Sequence, residues 1–185
     1  MIETGRLKLR VEEESDVYAI YDMLIDPEVR KYTGGVFKKS VEHLQEIIKS
    51  NSGKFTLNSN DISNDNGYCA FGVIDKVTDE YMGCCGFRFC RQMNEVELFY
   101  LYRRNFWGKG FGSEAAKAVL KFGFETIGLP AIFAAVDPVN TASEKILIKI
   151  GMNYLRMVEW SDKKMLRMYV MKKEEYLLMD NLKII

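Results

Sequence analysis

The stretch Asn105-Phe106-Trp107-Gly108-Lys109-Gly110-Phe111-Gly112-Ser113-Glu114-Ala115-Ala116 constrains the fold more than any other part of the chain. It follows an apolar run, Leu98-Phe99-Tyr100-Leu101-Tyr102, and opens a helical pattern. Three glycines at alternate positions, 108, 110 and 112, let the backbone come close to an anion because no Cβ stands in the way. The first turn of the helix adds unpaired N–H groups and the positive end of its dipole. A strand, a glycine turn and a helix start in that order predict a phosphate-bearing ligand at residues 108–113. The spacing is not G-x-x-x-x-G-K-[ST], since Lys109 lies between two glycines, and it is not G-x-G-x-x-G, since the third glycine comes one residue early. A flexible turn would also use three glycines, so a second signal has to decide.

That signal is Asp137-Pro138-Val139-Asn140-Thr141-Ala142-Ser143-Glu144, leading into Lys145 to Met152. Asn140 or Thr141 can cap a short helix, and Gly151 is placed to end it in the left-handed conformation. A third signal is Thr4-Gly5-Arg6-Leu7-Lys8-Leu9-Arg10, then Asp16, then Asp26-Pro27-Glu28-Val29-Arg30-Lys31-Tyr32.

Together these stretches resemble the GNAT superfamily of acyl-CoA-dependent N-acetyltransferases. The loop resembles the superfamily's [Q/R]-x-x-G-x-[G/A], with Asn105 where Gln or Arg is commoner. The second stretch resembles N-x-x-[S/A]-x-x-h-h-x-K-x-G-[F/M], with Asn140, Ser143, Lys149, Gly151 and Met152 in place. The N-terminal stretch resembles the branch that contains the ribosomal-protein-alanine N-acetyltransferases. The resemblance runs from residue 2 to about 175, in the family's order. It implies an α+β fold in which helices flank a mixed, mainly antiparallel sheet of about seven strands. It also implies acetyl-CoA as co-substrate, no metal, and direct attack of a primary amine in a ternary complex.

The 185 residues suit a single domain, 1–185, and 48% hydrophobic content is enough for a core. Lys plus Arg and Asp plus Glu are each 26, and this balance argues against general nucleic-acid or membrane-surface binding. No window is long and apolar enough for a membrane span, and no charged-then-apolar leader precedes the first strand, so the expected location is the cytoplasm. Cys69, Cys84, Cys85 and Cys90 lack zinc-site spacing and read as free, small apolar residues. His43 is the only histidine, which leaves no His-based triad or metal site.

Alternation and helical stripes give a strand at 6–11, helices from residue 15 or 16 to 24 and from 40, and a hairpin of 69–74 with 82–89. They continue with a strand at 95–102, a long helix at 112–127 closed by Gly128, a strand at 132–136, a helix at 141–150, and a last hairpin of 154–160 with 166–171. Residues 51–66 are polar and turn-prone and read as a loop.

Acetyl transfer from a thioester to an amine needs an unprotonated amine, two reactants held together and a stabilised oxyanion. By the resemblance, strand 97–102 splays from strand 132–136, and backbone groups of Tyr100, Leu101 and Tyr102 bond the pantetheine arm. The loop residues Asn105, Trp107, Gly108, Lys109, Gly110, Phe111, Gly112 and Ser113, with Asn140 and Ser143, complete the expected cofactor site. Trp107 reads as a cofactor contact or as a core anchor of the loop, and Arg103-Arg104 as phosphate-facing or as a solvated loop. Glu97 is the candidate base, with Glu95 on the same alternate face as its rival. Many superfamily members carry a Tyr acid seven residues after the motif Asn, but here that position is Leu147. In the similar branch a Ser three residues after the Asn takes the role, and here it is Ser143, polarising the sulfur by hydrogen bonding. The missing Tyr turns the acceptor away from the family's polyamine enzymes, which usually carry one; a protein or peptide N-terminus is the first reading, and a small-molecule amine, a polyamine or an antibiotic, is the alternative. A non-catalytic acyl-CoA sensor is the reading from a different class. A monomer and a homodimer are both open, with Met165, Met168 and Met171 reading equally well as interface or core residues.

Overall fold

The computed structural model describes residues 1–51, 68–160 and 163–181. Eight strands form one sheet: β1 (Ile2–Glu3), β2 (Leu7–Arg10), β3 (Tyr68–Asp75), β4 (Tyr81–Cys90), β5 (Glu95–Tyr102), β6 (Ala131–Val136), β7 (Asn153–Glu159) and β8 (Met165–Lys172). Their spatial order is β1-β2-β3-β4-β5-β6-β8-β7, with every neighbouring pair antiparallel except β5 and β6. The mixed, mainly antiparallel sheet is therefore the expected one, with the two-residue β1 added to the strands read from the sequence.

β4 is central because its residues are small and apolar enough to be covered on both faces. Its buried run Tyr81-Met82-Gly83-Cys84-Cys85-Gly86-Phe87 lacks the polar alternation of a half-exposed strand. At Gly86 an added Cβ would lie 2.1 Å from the Cys69 carbonyl oxygen, so only glycine permits the close approach of β3. The four cysteines are free and buried here.

On one face of the sheet lies α4 (Phe111–Lys121), whose Ala115, Ala116, Val119 and Leu120 meet Phe87, Leu98 and Ile132. Small residues at 115 and 116 bring the helix close. Each fully buried side chain in this layer, such as Phe87 or Leu120, stabilises the fold by about 1.5–3 kcal/mol. Beyond Lys121 the helix widens into a π turn, Phe122–Ile127, and stops at Gly128 in the left-handed conformation (φ 81°). The opposite face is covered by α1 (Val17–Ile25), α2 (Pro27–Arg30) and α3 (Val41–Asn51), through Val17, Ile20, Met23, Val29, Leu44 and Ile48.

The N-terminal signature now has a structural meaning. Arg10 grips the buried Asp16 carboxylate with both Nη atoms, at 2.7 and 2.9 Å, and Asp16 also accepts the Glu13 N–H at 2.8 Å. The pair ties β2 to the start of α1. Two further helices follow the loop region: α5 (Thr141–Lys149) and α6 (Lys173–Asn181). The sequence reading ended with the last hairpin and missed α6, whose Leu177 and Leu178 are exposed and give no clean apolar stripe. Most of the 51–66 loop falls outside the described residues, as does the Ser161-Asp162 part of the last turn.

Candidate active site

β5 and β6 run parallel but share a single register pair, Glu97 with Phe133. From there to Tyr102 and Val136 the two strands part, and the gap opens towards the glycine loop. The direction of each β5 peptide follows from its other neighbour. Arg103 donates its N–H to the Met82 carbonyl on β4, and the β4 register continues unbroken through Leu101 with Cys84. In an antiparallel pair the N–H and C=O of alternate residues point to the same side. The odd residues 97, 99, 101 and 103 therefore face β4, and the even residues 98, 100 and 102 face the gap. This separates the three predicted backbone contacts: Tyr100 and Tyr102 present their main chain to the gap, while Leu101 turns its own towards β4.

The side chains divide in the same way. Tyr100 and Tyr102 lean towards α4 and α5, whereas Glu97, Phe99 and Leu101 lie on the face covered by α1 to α3. Glu97 is only 4% exposed and accepts from Arg88 Nε at 2.6 Å, while Glu95 is exposed. A buried carboxylate thus stands where the gap closes, with its charge compensated by a guanidinium.

At the open end, Gly108 and Gly110 both have positive φ, 74° and 81°, and Gly110 is the N-cap of α4. Among the described residues, none accepts a hydrogen bond from the amides of 108–113. These amides are the free donors that a phosphate-bearing ligand, expected here from the spacing, would need. Because α4 starts at Phe111, Trp107-x-x-Gly110-x-Gly112 meets the same spacing as the frame that begins at Asn105. Asn105 itself sits in the turn after β5 and lines a cavity of about 450 Å³ with Asp22, Met23, Asp26, Val29, Arg103 and Arg104. Trp107 is not a core residue. It is 47% exposed, and its indole N–H donates to the Tyr102 carbonyl at 2.8 Å, which fixes the loop to the end of β5. Lys109 is exposed, with Nζ 5.9 Å from the Phe106 ring centroid, while Phe111 and Ser113 are buried. Arg103 and Arg104 are held by carboxylates: Arg103 by Glu80 at 2.8 Å, Arg104 by Asp26 at 2.6 Å.

The loop is braced from outside by residues whose role the sequence did not disclose. Glu114 accepts from Thr4 Oγ1 at 2.6 Å, the Arg6 N–H at 2.9 Å and Arg6 Nε at 2.7 Å. Arg6 also donates to the Lys109 carbonyl at 3.1 Å and lies 4.3 Å from the Phe111 ring centroid. Burial pushes the Glu114 carboxyl up, but the bonds from Thr4 and Arg6 outweigh it and hold it below its ordinary value.

On α5 Asn140 caps the helix, its Oδ1 accepting the Ser143 N–H at 3.2 Å. Ser143 stands opposite β5, with its Oγ 2.8 Å from the Tyr100 hydroxyl. Leu147 is buried in the core.

A family model described as "Acetyltransferase (GNAT) domain" matches residues 6–153. The chain belongs to the GNAT acetyltransferase family. It is 37% identical over 145 residues to the uncharacterized N-acetyltransferase p20 of Bacillus licheniformis, covering 78% of this chain and 77% of that one. It is 31% identical over 164 residues to the uncharacterized YkkB of Bacillus subtilis, covering 85% and 88%. Among solved structures, a GNAT-family acetyltransferase from Bacillus anthracis superposes with a TM-score of 0.76 at 27% identity, covering 94% of this chain and 99% of that one. Spermidine N-acetyltransferase from Vibrio cholerae, solved with CoA and spermine, shares the fold with a TM-score of 0.75 at 18% identity, covering 94% and 99%. GNAT enzymes use acetyl-CoA. In this acetyltransferase, of the three methionines read as interface or core, Met168 and Met171 are buried in the core and Met165 is exposed. No helix among the described residues is long and apolar enough to cross a membrane.

Proposed function

We propose that this acetyltransferase binds acetyl-CoA along β5 and moves the acetyl group to a primary amine in a ternary complex. A protein or peptide N-terminus is the first acceptor class. The observation that carries the reading is the parting of β5 from β6 beyond Glu97 and Phe133, with the free amides of 108–113 at its mouth. These residues fit the ligand. The amides suit a pyrophosphate, and the open space above Gly108, where a Cβ would meet nothing within 4 Å, leaves room for it. The gap-facing main chain of Tyr100 and the Tyr102 N–H suit the amides of a pantetheine arm, and Asn140 and Ser143 stand across from them on α5. Bound acetyl-CoA supplies the activated acyl group; this chain supplies position, polarisation and proton transfer.

A free amine is largely protonated at neutral pH, so a base assists attack. Glu97, buried at the closed end of the gap, takes that proton directly or through water, and Arg88 holds its carboxylate in place. A gap-facing N–H on β5 serves the oxyanion. Small-molecule amines are the second acceptor class, since the Vibrio cholerae enzyme of the same fold holds spermine. The free cysteines support a reducing, cytoplasmic setting. The test is acceptor-dependent thiol release from acetyl-CoA over a panel of N-terminal peptides, polyamines and amino sugars, with Glu97→Gln beside the wild type. Release that falls at least tenfold in the variant supports transfer with Glu97 as base. CoA binding without release on any acceptor favours the non-catalytic sensor.

A further inference from the structure

We propose that the Tyr100 hydroxyl is the hydrogen-bond donor to the sulfur that leaves acetyl-CoA, held in place by Ser143. The inference rests on the reading just given. Three observations converge on it. The position that would hold a Tyr acid on α5 is Leu147, 1% exposed, so the acid has to come from elsewhere. Tyr100 has its main chain on the gap and its ring on the α5 side, where its O–H donates to the Ser143 carbonyl at 3.2 Å and its Oη lies 2.8 Å from Ser143 Oγ; in the proposed arrangement that O–H turns from the carbonyl to the sulfur while Ser143 Oγ–H donates to Oη. From Tyr102 to the closed end at Glu97, β5 spans about 16 Å at roughly 3.3 Å per residue. An extended arm that enters beside Tyr102 and runs towards Glu97 therefore passes Tyr100 before the strands meet.

A phenol suits this role because its O–H stands at the end of a rigid ring, where it can donate to the sulfur while its oxygen accepts from Ser143. Burial raises the Tyr100 hydroxyl above its ordinary value, so it keeps its proton at neutral pH and donates without giving the proton away. The step balances in the following way. The amine nitrogen bonds to the thioester carbonyl carbon and its proton passes to Glu97 or to water. The C–S bond then breaks with its electron pair on sulfur, and that thiolate accepts the Tyr100 hydrogen bond until solvent protonates it on release.

The test needs no acceptor. The ionisation of the CoA thiol is titrated in the binary complex by its ultraviolet thiolate absorbance, with the desulfo-CoA complex as blank. Tyr100→Phe should make the bound thiol about tenfold harder to ionise than in the wild type, while CoA affinity changes less than threefold. A second variant with 3-fluorotyrosine at 100 keeps the ring and strengthens the donor, and should move ionisation the opposite way. Equal ionisation in the wild type and the 3-fluorotyrosine protein, or in the wild type and a folded Tyr100→Phe, overturns the proposal. Failure of CoA to bind the wild type refutes the acetyl-CoA site itself, a result distinct from unchanged thiol ionisation in a complex that forms.

Discussion

Replacing Glu114 by Ala should loosen the glycine loop from outside, without touching any group that faces the gap. The carboxylate joins the N-terminal segment to the first turn of α4 across 108 and 110 residues of sequence. Truncation leaves the Thr4 hydroxyl and the Arg6 N–H without this acceptor, and each such bond is worth about 1 kcal/mol net. The ion pair with Arg6 adds little, about 0.5 kcal/mol, because the Arg6 side chain is 51% exposed and water screens it. The sum is about 2–3 kcal/mol, which for a chain of this size corresponds to a fall in Tm of roughly 4–12 °C. The assay is thermal unfolding of both proteins across pH, with CoA affinity by calorimetry. Because the folded-state carboxyl is held below its ordinary value, its contribution is complete above the unfolded value of about 4.3 and is lost as pH falls through the folded value. The wild-type advantage should therefore be full at pH 7 and should shrink below about pH 4. CoA affinity should fall several-fold, since Arg6 also holds the Lys109 carbonyl within the loop. A Tm difference under 1 °C at pH 7, or a difference that grows on acidification, would refute this account of the brace.

Gly110→Ala places a Cβ on a left-handed residue at the cap of α4, which costs about 1–2 kcal/mol; relaxing the loop to relieve it should weaken CoA binding by about tenfold in a calorimetric titration, against a small change in Tm. Gly86→Ala sets a Cβ against backbone atoms of Cys69 and Ala70 at 2.1 and 2.6 Å, which no side-chain motion can relieve, so chemical denaturation should show a loss above about 3 kcal/mol or no folded protein.

The strand, glycine turn and helix start were legible in the sequence because they are local. A strand, a turn and a helix start within a dozen residues meet through short-range geometry, and positive φ at residues 108 and 110 is a property that glycine alone supplies cheaply. The helix cap, read as Asn140 or Thr141, was legible for the same reason, and the structure selects Asn140, which accepts the Ser143 N–H. Arginines 103 and 104 were not: their carboxylate partners, Glu80 and Asp26, lie on other elements, 23 and 78 residues away. Trp107 was read as contact or core, yet its indole stays half exposed because its N–H finds the end of β5.

Residue identity and periodicity by themselves determined the order of the elements from β2 to the last hairpin and the place of the glycine turn, whereas Glu97 as base and Ser143 as sulfur partner were what the family resemblance implied. Tertiary structure alone decided which of those positions act together. Which β5 peptides face the gap depends on the register with β4, since one step along a strand reverses the direction of every N–H. The Arg88 pairing of Glu97 depends on the register of the β4–β5 hairpin, and the Tyr100 hydroxyl against Ser143 and the Glu114 brace depend on contacts between elements far apart in the chain. Only folding brings such groups within hydrogen-bond distance, so no local pattern encodes them.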